Sequence, residues 1–346
     1  MSFMLAHVVL YLNSSQLAQR ILMKVTLVPA LLCVPLCLSL NSAFAQNTGY
    51  PAKNIRIVVA ATPGGGVDTI SRIAAQHFSE QWGQPVVVDN RPGAGGALAG
   101  DIVSKSNPDG YTLKTISISH AVIPSTHKNL SYSPERDLTP VSILVNSPNV
   151  LVVHPSLPVN SMKELIAYAK ARPGQLQFSS SGNAGPPHMA MEMLKLLAQI
   201  DMMHIPYKGT GPGMTDLLAG RVSLTFASII SVRSHVESGK LRLLAIASSK
   251  RSPVLPKTPT VAEAGVPGYS VDVWYGMFAP SATPRAVISQ LNGELIKMMQ
   301  VPSVSEKMMS LGLEPLAAPL EQTNAYVKSE IAKWAKVVKA ANIVAN

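Results

Sequence analysis

Twice in this chain an apolar, β-branched run ends in a cluster of glycines that opens directly into a helix, and this pattern limits the fold more than any other feature. Ile55 to Ala60 is apolar and largely β-branched apart from Arg56, as a strand buried on both faces should be. Thr62-Pro63-Gly64-Gly65-Gly66 interrupts it. Val67 to Trp82 then places Ile70, Ile73, Ala74 and Phe78 at helical spacing, and Gly83 closes the helix as a C-terminal cap. Pro85 to Asp89 is a second strand, followed by the turn Asn90-Arg91-Pro92-Gly93-Ala94-Gly95-Gly96 and a short helix, Ala97 to Ser104. After Asn107-Pro108-Asp109-Gly110 comes a third strand, Tyr111 to Ile118. Strands alternating with helices in this way predict a parallel, doubly wound α/β sheet.

A second block of the same kind begins near Asn149. Val150 to Val153 is a strand, and Ser161 with Glu164 predicts a capping box for the helix Met162 to Ala171. A strand at Phe178 runs into Ser179-Ser180-Ser181-Gly182-Asn183-Ala184-Gly185-Pro186-Pro187 and a helix from His188 to Ile200. His204 to Tyr207, Leu224 to Ala227 and Leu241 to Ala247 read as strands, with a helix at Gly213 to Ala219. Tyr269 to Pro280 is a long extended segment, and amphipathic helices at Arg285 to Gln300 and Leu320 to Ala341 complete the chain. The expected assembly is two α/β lobes, each with a doubly wound sheet: 46–148 with 276–346, and 149–275. Crossing segments near 149–153 and 270–278 join them, and the cleft between them is the expected ligand site.

The first 45 residues stand apart from this pattern. They hold no Asp or Glu and only Arg20 and Lys24 as strong cations. The apolar run Val25 to Leu40 precedes Asn41-Ser42-Ala43-Phe44-Ala45, whose alanines form an A-x-A cleavage pattern. A secretory signal peptide over 1–45, cut before Gln46, is therefore expected, with Met23-Lys24 as the expected start of translation. Both cysteines, Cys33 and Cys37, lie inside that run, so the exported chain would carry no disulfide or thiolate chemistry.

The chain has 29 Lys and Arg against 19 Asp and Glu; without Arg20 and Lys24 this becomes 27 against 19, or +8. The cations are scattered, and aromatics make up only 5% of residues. A solvated basic surface is expected, and no nucleic-acid partner. Enzyme signatures are absent: no H-E-x-x-H, G-x-S-x-G or Walker lysine motif occurs. Gly93 to Gly100 approaches a dinucleotide fingerprint but has Leu98 at the third glycine. No metal spacing joins the histidines, and no cofactor is expected.

What remains is anion chemistry at glycine-rich helix starts. Free N–H groups and the positive end of a helix dipole hold an anion without a charged side chain. Thr62, Gly64, Gly65, Gly66 and Asp68 form one candidate site; Ser181, Gly182, Asn183 and Gly185 form a second. Ser119 and His120, at the end of the third strand, and Thr210 complete the candidate set. Four or five charge-assisted hydrogen bonds of about 1.5–3 kcal/mol each can reach micromolar affinity, about −8 kcal/mol, after ordering costs. Against this, triple glycines serve equally well for tight turns, Asp68 as an N-terminal helix charge and His188 as a cap.

The motifs also carry a family resemblance. Tyr50-Pro51 through Val59, Pro63-Gly64-Gly65-Gly66-Val67-Asp68, Val88-Asp89-Asn90-Arg91-Pro92-Gly93-Ala94-Gly95-Gly96 and Pro108-Asp109-Gly110-Tyr111-Thr112-Leu113 resemble the receptors of tripartite tricarboxylate transporters, often called Bug proteins. Pro206-Tyr207-Lys208-Gly209, Asp216-Leu217-Leu218-Ala219-Gly220, Trp274-Tyr275-Gly276 and Thr283-Pro284 continue the match over nearly the whole exported chain. The resemblance implies a periplasmic, type II Venus-flytrap solute-binding protein, monomeric and not an enzyme. It implies that loops Thr62 to Asp68 and Ser180 to His188 close on a small carboxylate through backbone amides and waters. Delivery to a two-component, ion-gradient-driven permease would follow. An exported enzyme, a receptor for an ATP-driven transporter and a ligand-presenting sensor partner are the alternatives. Two departures stand out. Ala184 and Gly185 replace the family's Gly-Ser pair, and Ala227 and Ser228 stand where an acidic residue is common. The second favours a purely anionic or aromatic acid over an amino acid.

Overall fold

A computed structural model describes residues 49–344. The signal peptide, its cut before Gln46 and the Met23 start all lie outside the described residues. The elements, in chain order, are β1 (Ile55–Val59), α1 (Gly66–Trp82), β2 (Val86–Asn90), α2 (Ala97–Ser104), β3 (Thr112–Ser117), α3 (Ser119–Thr126), α4 (Pro134–Asp137), β4 (Leu138–Asn146), β5 (Asn149–Val153), α5 (Met162–Lys170), β6 (Gln177–Ser180) and α6 (Pro186–Ala198). They continue with β7 (Met203–Pro206), α7 (Thr210–Leu218), β8 (Leu224–Ser228), α8 (Ile229–Glu237), β9 (Arg242–Ile246), β10 (Trp274–Pro280), α9 (Arg285–Gln300), α10 (Pro302–Ser310), β11 (Glu314–Pro315) and α11 (Leu320–Ala340).

Two mixed sheets result, ordered β11-β4-β10-β3-β1-β2 and β7-β6-β8-β5-β9. The expected all-parallel sheet holds only in part. β1 is parallel to β2 and β3, but β10 runs antiparallel to both β3 and β4. In the second sheet β6 is parallel to β7 and β8, while β5 is antiparallel to β8 and β9. The antiparallel strands are those carrying the chain between sheets, which arrive by direct crossing rather than through a helical crossover.

The connection order gives each sheet one strand where the winding reverses. From β1 the chain goes to β2 on one side, then to β3 on the other. From β6 it goes to β7 on one side, then to β8 on the other. The carboxyl ends of β1 and β6 are therefore topological switch points, where doubly wound sheets leave a crevice. Both glycine-rich loops start there.

Two segments pass between the sheets, and they bond to each other. Ser147 N–H donates to Val273 O at 2.7 Å, Ala247 N–H to Asn149 O at 2.8 Å and Val271 N–H to Ala247 O at 2.9 Å. Trp274 and Trp334 are fully buried at this junction, and both indole N–H groups donate to the buried carboxylate of Glu330. α11 packs on α3 and β4 and also reaches α6, so one apolar core runs beneath parts of both sheets. Among the described residues no helix is long and apolar enough to cross a membrane.

Candidate ligand-binding site

The loop after β1 is shaped by one buried carboxylate. Asp68 is 2% exposed; its Oδ2 accepts from Gly64 N–H at 2.9 Å and from Arg72 Nε at 3.0 Å. Oδ1 accepts from Asn90 Nδ2 at 2.9 Å, and the same Asn90 amide donates to Ala61 O. Burial raises the Asp68 pKa, but the bonds from Arg72, Gly64 and Asn90 outweigh it and hold the group below the ordinary carboxylate range. Asp68 therefore positions the loop. Its two oxygens accept three hydrogen bonds inside the protein.

With the loop held this way, α1 starts at Gly66 with no side-chain cap, and Gly65 stands at the N-cap in extended conformation. The backbone N–H groups of this first turn point out of the helix toward the switch point. Thr62 and Gly64 are exposed, and Gly65 and Gly66 half-buried. Gly66 is required by space: a Cβ there would lie 2.7 Å from the Tyr275 hydroxyl. Tyr275 also hydrogen-bonds the Ser147 side chain, so one residue ties the loop to the crossing segment.

At the end of β3 the two expected residues differ in their surroundings. Ser119 opens α3, is 8% exposed, and its Oγ accepts from Ser117 Oγ at 3.1 Å. His120 is 1% exposed, its ring centre 3.9 Å from that of Phe278 in a tilted contact, with Nδ1 3.3 Å from Lys114 Nζ. It packs as a core residue. The apolar run of β3 hides this, since Lys114 in its middle turns inward and needs a partner.

In the second sheet the expected loop leads into a helix that opens on two prolines. Pro186 and Pro187 occupy the first two positions of α6 and have no N–H, and Gly185 N–H turns back to Gly182 O at 3.4 Å. The α6 start is thus poor in donors. The loop is fixed instead by Ser180 Oγ, 2.6 Å from His204 Nε2 and accepting from Gly182 N–H, and by Ala184 N–H donating to His188 Nδ1 at 3.0 Å. His188 stacks on His204 at 3.8 Å and lies 3.6 Å from Glu192. Burial pushes His204 down to about 4, so it stays neutral.

At its start α7 offers N–H donors at Thr210 and Gly211, although Pro212 in its first turn has none. It begins at Thr210, three residues before the expected Gly213, behind Gly209 at φ 107° and without a side-chain cap. Ser181 and Thr210 share a small recess with Ser180, Pro187 and Ala227. Gly182, Asn183 and Gly185 do not line it. The sequence signal for α7 was Lys208-Gly209, whose glycine marks the turn that ends in a helix start. Ala184, where the family carries glycine, sits at φ +56°, a left-handed conformation that strains a residue with a Cβ. Among the described residues no cluster of three or more His, Cys, Asp or Glu side chains is arranged to hold a metal.

Comparison with known proteins places this architecture. The profile of the tripartite tricarboxylate transporter family receptor matches residues 70–343. The chain belongs to that family. BugT of Bordetella pertussis is 39% identical over 292 residues, covering 84% of this chain and 90% of BugT. Among solved structures, R. palustris Rpa4515 with adipate has a TM-score of 0.77 and 36% identity, covering 86% of this chain and 99% of that one. MatC from Rhodopseudomonas palustris with bound malate has a TM-score of 0.72 and 30% identity, covering 84% and 100%. The family is one of periplasmic solute-binding receptors rather than enzymes, and a solute-binding role follows for this chain.

Proposed function

We propose that this receptor takes a small carboxylate between its two sheets, at the α1 start on one side and the α7 start on the other. It then delivers the cargo to a two-component, ion-gradient-driven permease in the membrane. The observation that carries the reading is the uncapped first turn of α1, held open at a switch point by Asp68, Asn90 and Arg72. Adipate and malate in two related receptors favour an acid with two charged ends. Such a ligand meets both helix starts only when the sheets approach, so binding selects the closed arrangement. The contacts proposed are Thr62, Gly64, Gly65, Gly66, Ser119, Ser181 and Thr210, with Gly182, Asn183 and Gly185 shaping the loop. Export through the N-terminal 45 residues, division into lobes 46–148 with 276–346 and 149–275, a periplasmic location and a monomeric state belong to the same proposal.

The test is thermal unfolding of the protein against mono-, di- and tricarboxylates and aromatic acids. A ligand at 100 times its Kd adds about 2.7 kcal/mol of stability. Stabilisation by one acid, lost when Gly65 is replaced by Val, supports the reading. No response to any acid in the panel overturns the carboxylate assignment.

A further inference from the structure

A cavity of about 490 Å³ opens where the chain passes between the sheets, and none of the glycine-loop residues lines it. Its size falls in the range of small-molecule sites. One wall is apolar, made by Ile143, Leu316, Ala318 and the Tyr326 ring. The other is acceptor-rich. Asn146 Oδ1 is buried and has no hydrogen-bond partner, while its Nδ2 donates to Glu314 Oε2 at 3.4 Å. A buried acceptor left unpaired is rare in folded proteins and marks a missing donor. The carboxylates of Glu314 and Asp272 line the same space.

The charges around it do not balance. Arg251 is committed to Glu263 at 2.9 Å and to Pro256 O at 3.3 Å. Lys250 is exposed, at the mouth of the cavity. That leaves one outer cation against two carboxylates and the orphan amide oxygen. The local field is negative at Tyr326 as well, whose hydroxyl is pushed upward by burial first and then by Glu330 and Asp272. An ammonium group would donate to Glu314, which also accepts from Ser252 Oγ at 2.6 Å. It would donate to Asn146 Oδ1 once the amide turns to open that closed-off oxygen to the cavity, with its apolar body against Ile143, Leu316 and the Tyr326 ring.

We propose that this cavity binds a small amphipathic amine: a primary ammonium on an aromatic or branched aliphatic body. The selectivity is opposite in charge to that of the glycine-loop site, and the two sites share no residue.

Calorimetric titration of the purified protein with phenethylamine, phenethyl alcohol and 3-phenylpropionate tests it. Tryptophan fluorescence gives a second readout, because Trp274 pairs with Asn146 in the β10–β4 ladder and packs edge-on to Tyr326 at 6.2 Å. The amine should bind saturably with one site, and the alcohol and the acid about tenfold more weakly or worse, as loss of a charge-assisted hydrogen bond requires. Asn146→Leu and Glu314→Gln should each weaken the amine by about tenfold. Displacement of the amine by the acid with equal affinity, no saturable amine binding, or amine binding unchanged in both variants would overturn the proposal. The three-ligand comparison on the unmodified protein stands even where a variant fails to fold.

Discussion

Lys114 offers the sharpest test of the energetics, because a fully buried lysine without a carboxylate partner makes stability depend on pH with a predictable sign. Lys114 is 0% exposed on β3, its Nζ 3.3 Å from His120 Nδ1 and 5.6 Å from the Phe278 ring centre. Burial lowers its pKa from 10.5 to about 7. In the unfolded chain the amine keeps its ordinary value. Between about pH 7 and 10.5 the unfolded state therefore binds a proton that the folded state lacks, and stability rises with pH at up to about 1.4 kcal/mol per pH unit. The penalty is fully present below pH 7, absent above 10.5, and on the order of 4 kcal/mol at neutral pH. Lys114→Met keeps an unbranched apolar chain in the same space. It also leaves His120 Nδ1 without a donor, which costs about 1–3 kcal/mol. The net expectation is stabilisation by about 1–3 kcal/mol at pH 7, falling away as pH rises toward 10. Denaturant unfolding of both proteins from pH 6 to 10 measures this directly, since other titrations cancel in the difference. Parallel curves would show that Lys114 does not change protonation on folding, and the reasoning from its burial would fail.

Gly66→Ala drives a Cβ to 2.7 Å from the Tyr275 hydroxyl, while Gly65→Ala meets only Thr62 O at 3.6 Å. The first should lose about 1–3 kcal/mol of stability and the second little, as thermal unfolding will show; equal losses would mean that Tyr275 moves freely. Asp68→Asn removes the charged acceptor for Gly64 and Arg72, so stability should fall by about 1.5–3 kcal/mol at pH 7, and adipate or malate binding with it. Because the Asp68 pKa is lowered in the folded state, this difference should persist at neutral pH and shrink in acid as the wild-type carboxyl protonates; a difference independent of pH would refute the charge assignment. Ala184→Gly relieves a left-handed alanine and should stabilise by at most about 1 kcal/mol, with marked destabilisation as the contrary result. With Ala227 and Ser228 in place of an acid, the receptor should take a dicarboxylate over the matching amino acid, measured by calorimetry with malate and aspartate; tight aspartate binding would refute it.

Local sequence was enough to determine the strand, glycine-turn and helix units. Val67 to Trp82 needed only apolar spacing and a capping glycine, and Gly83 does adopt φ 64° at that cap. The helix starting after Ser161 followed from its cap, although Glu164 reaches back to the N–H of Asn160, one residue beyond the capping-box partner. β4 escaped the reading although Val141 to Val145 is apolar except at Ser142, because Pro140 interrupts the strand pattern. The fold accommodates that proline where the β10 register shifts, between Met277 and Phe278. Which polar residues are bonded inside the protein was decided only by tertiary structure. Asp68, His120 and Ser119 all follow strands and looked alike in sequence. Asn90 engages Asp68 within the protein, and Lys114 and Phe278 engage His120, while Ser119 meets Ser117. Propensity and periodicity act over neighbouring residues, so they report where strands and helices begin. Burial and hydrogen-bond pairing depend on residues far apart in the chain, and only the assembled sheets bring those together.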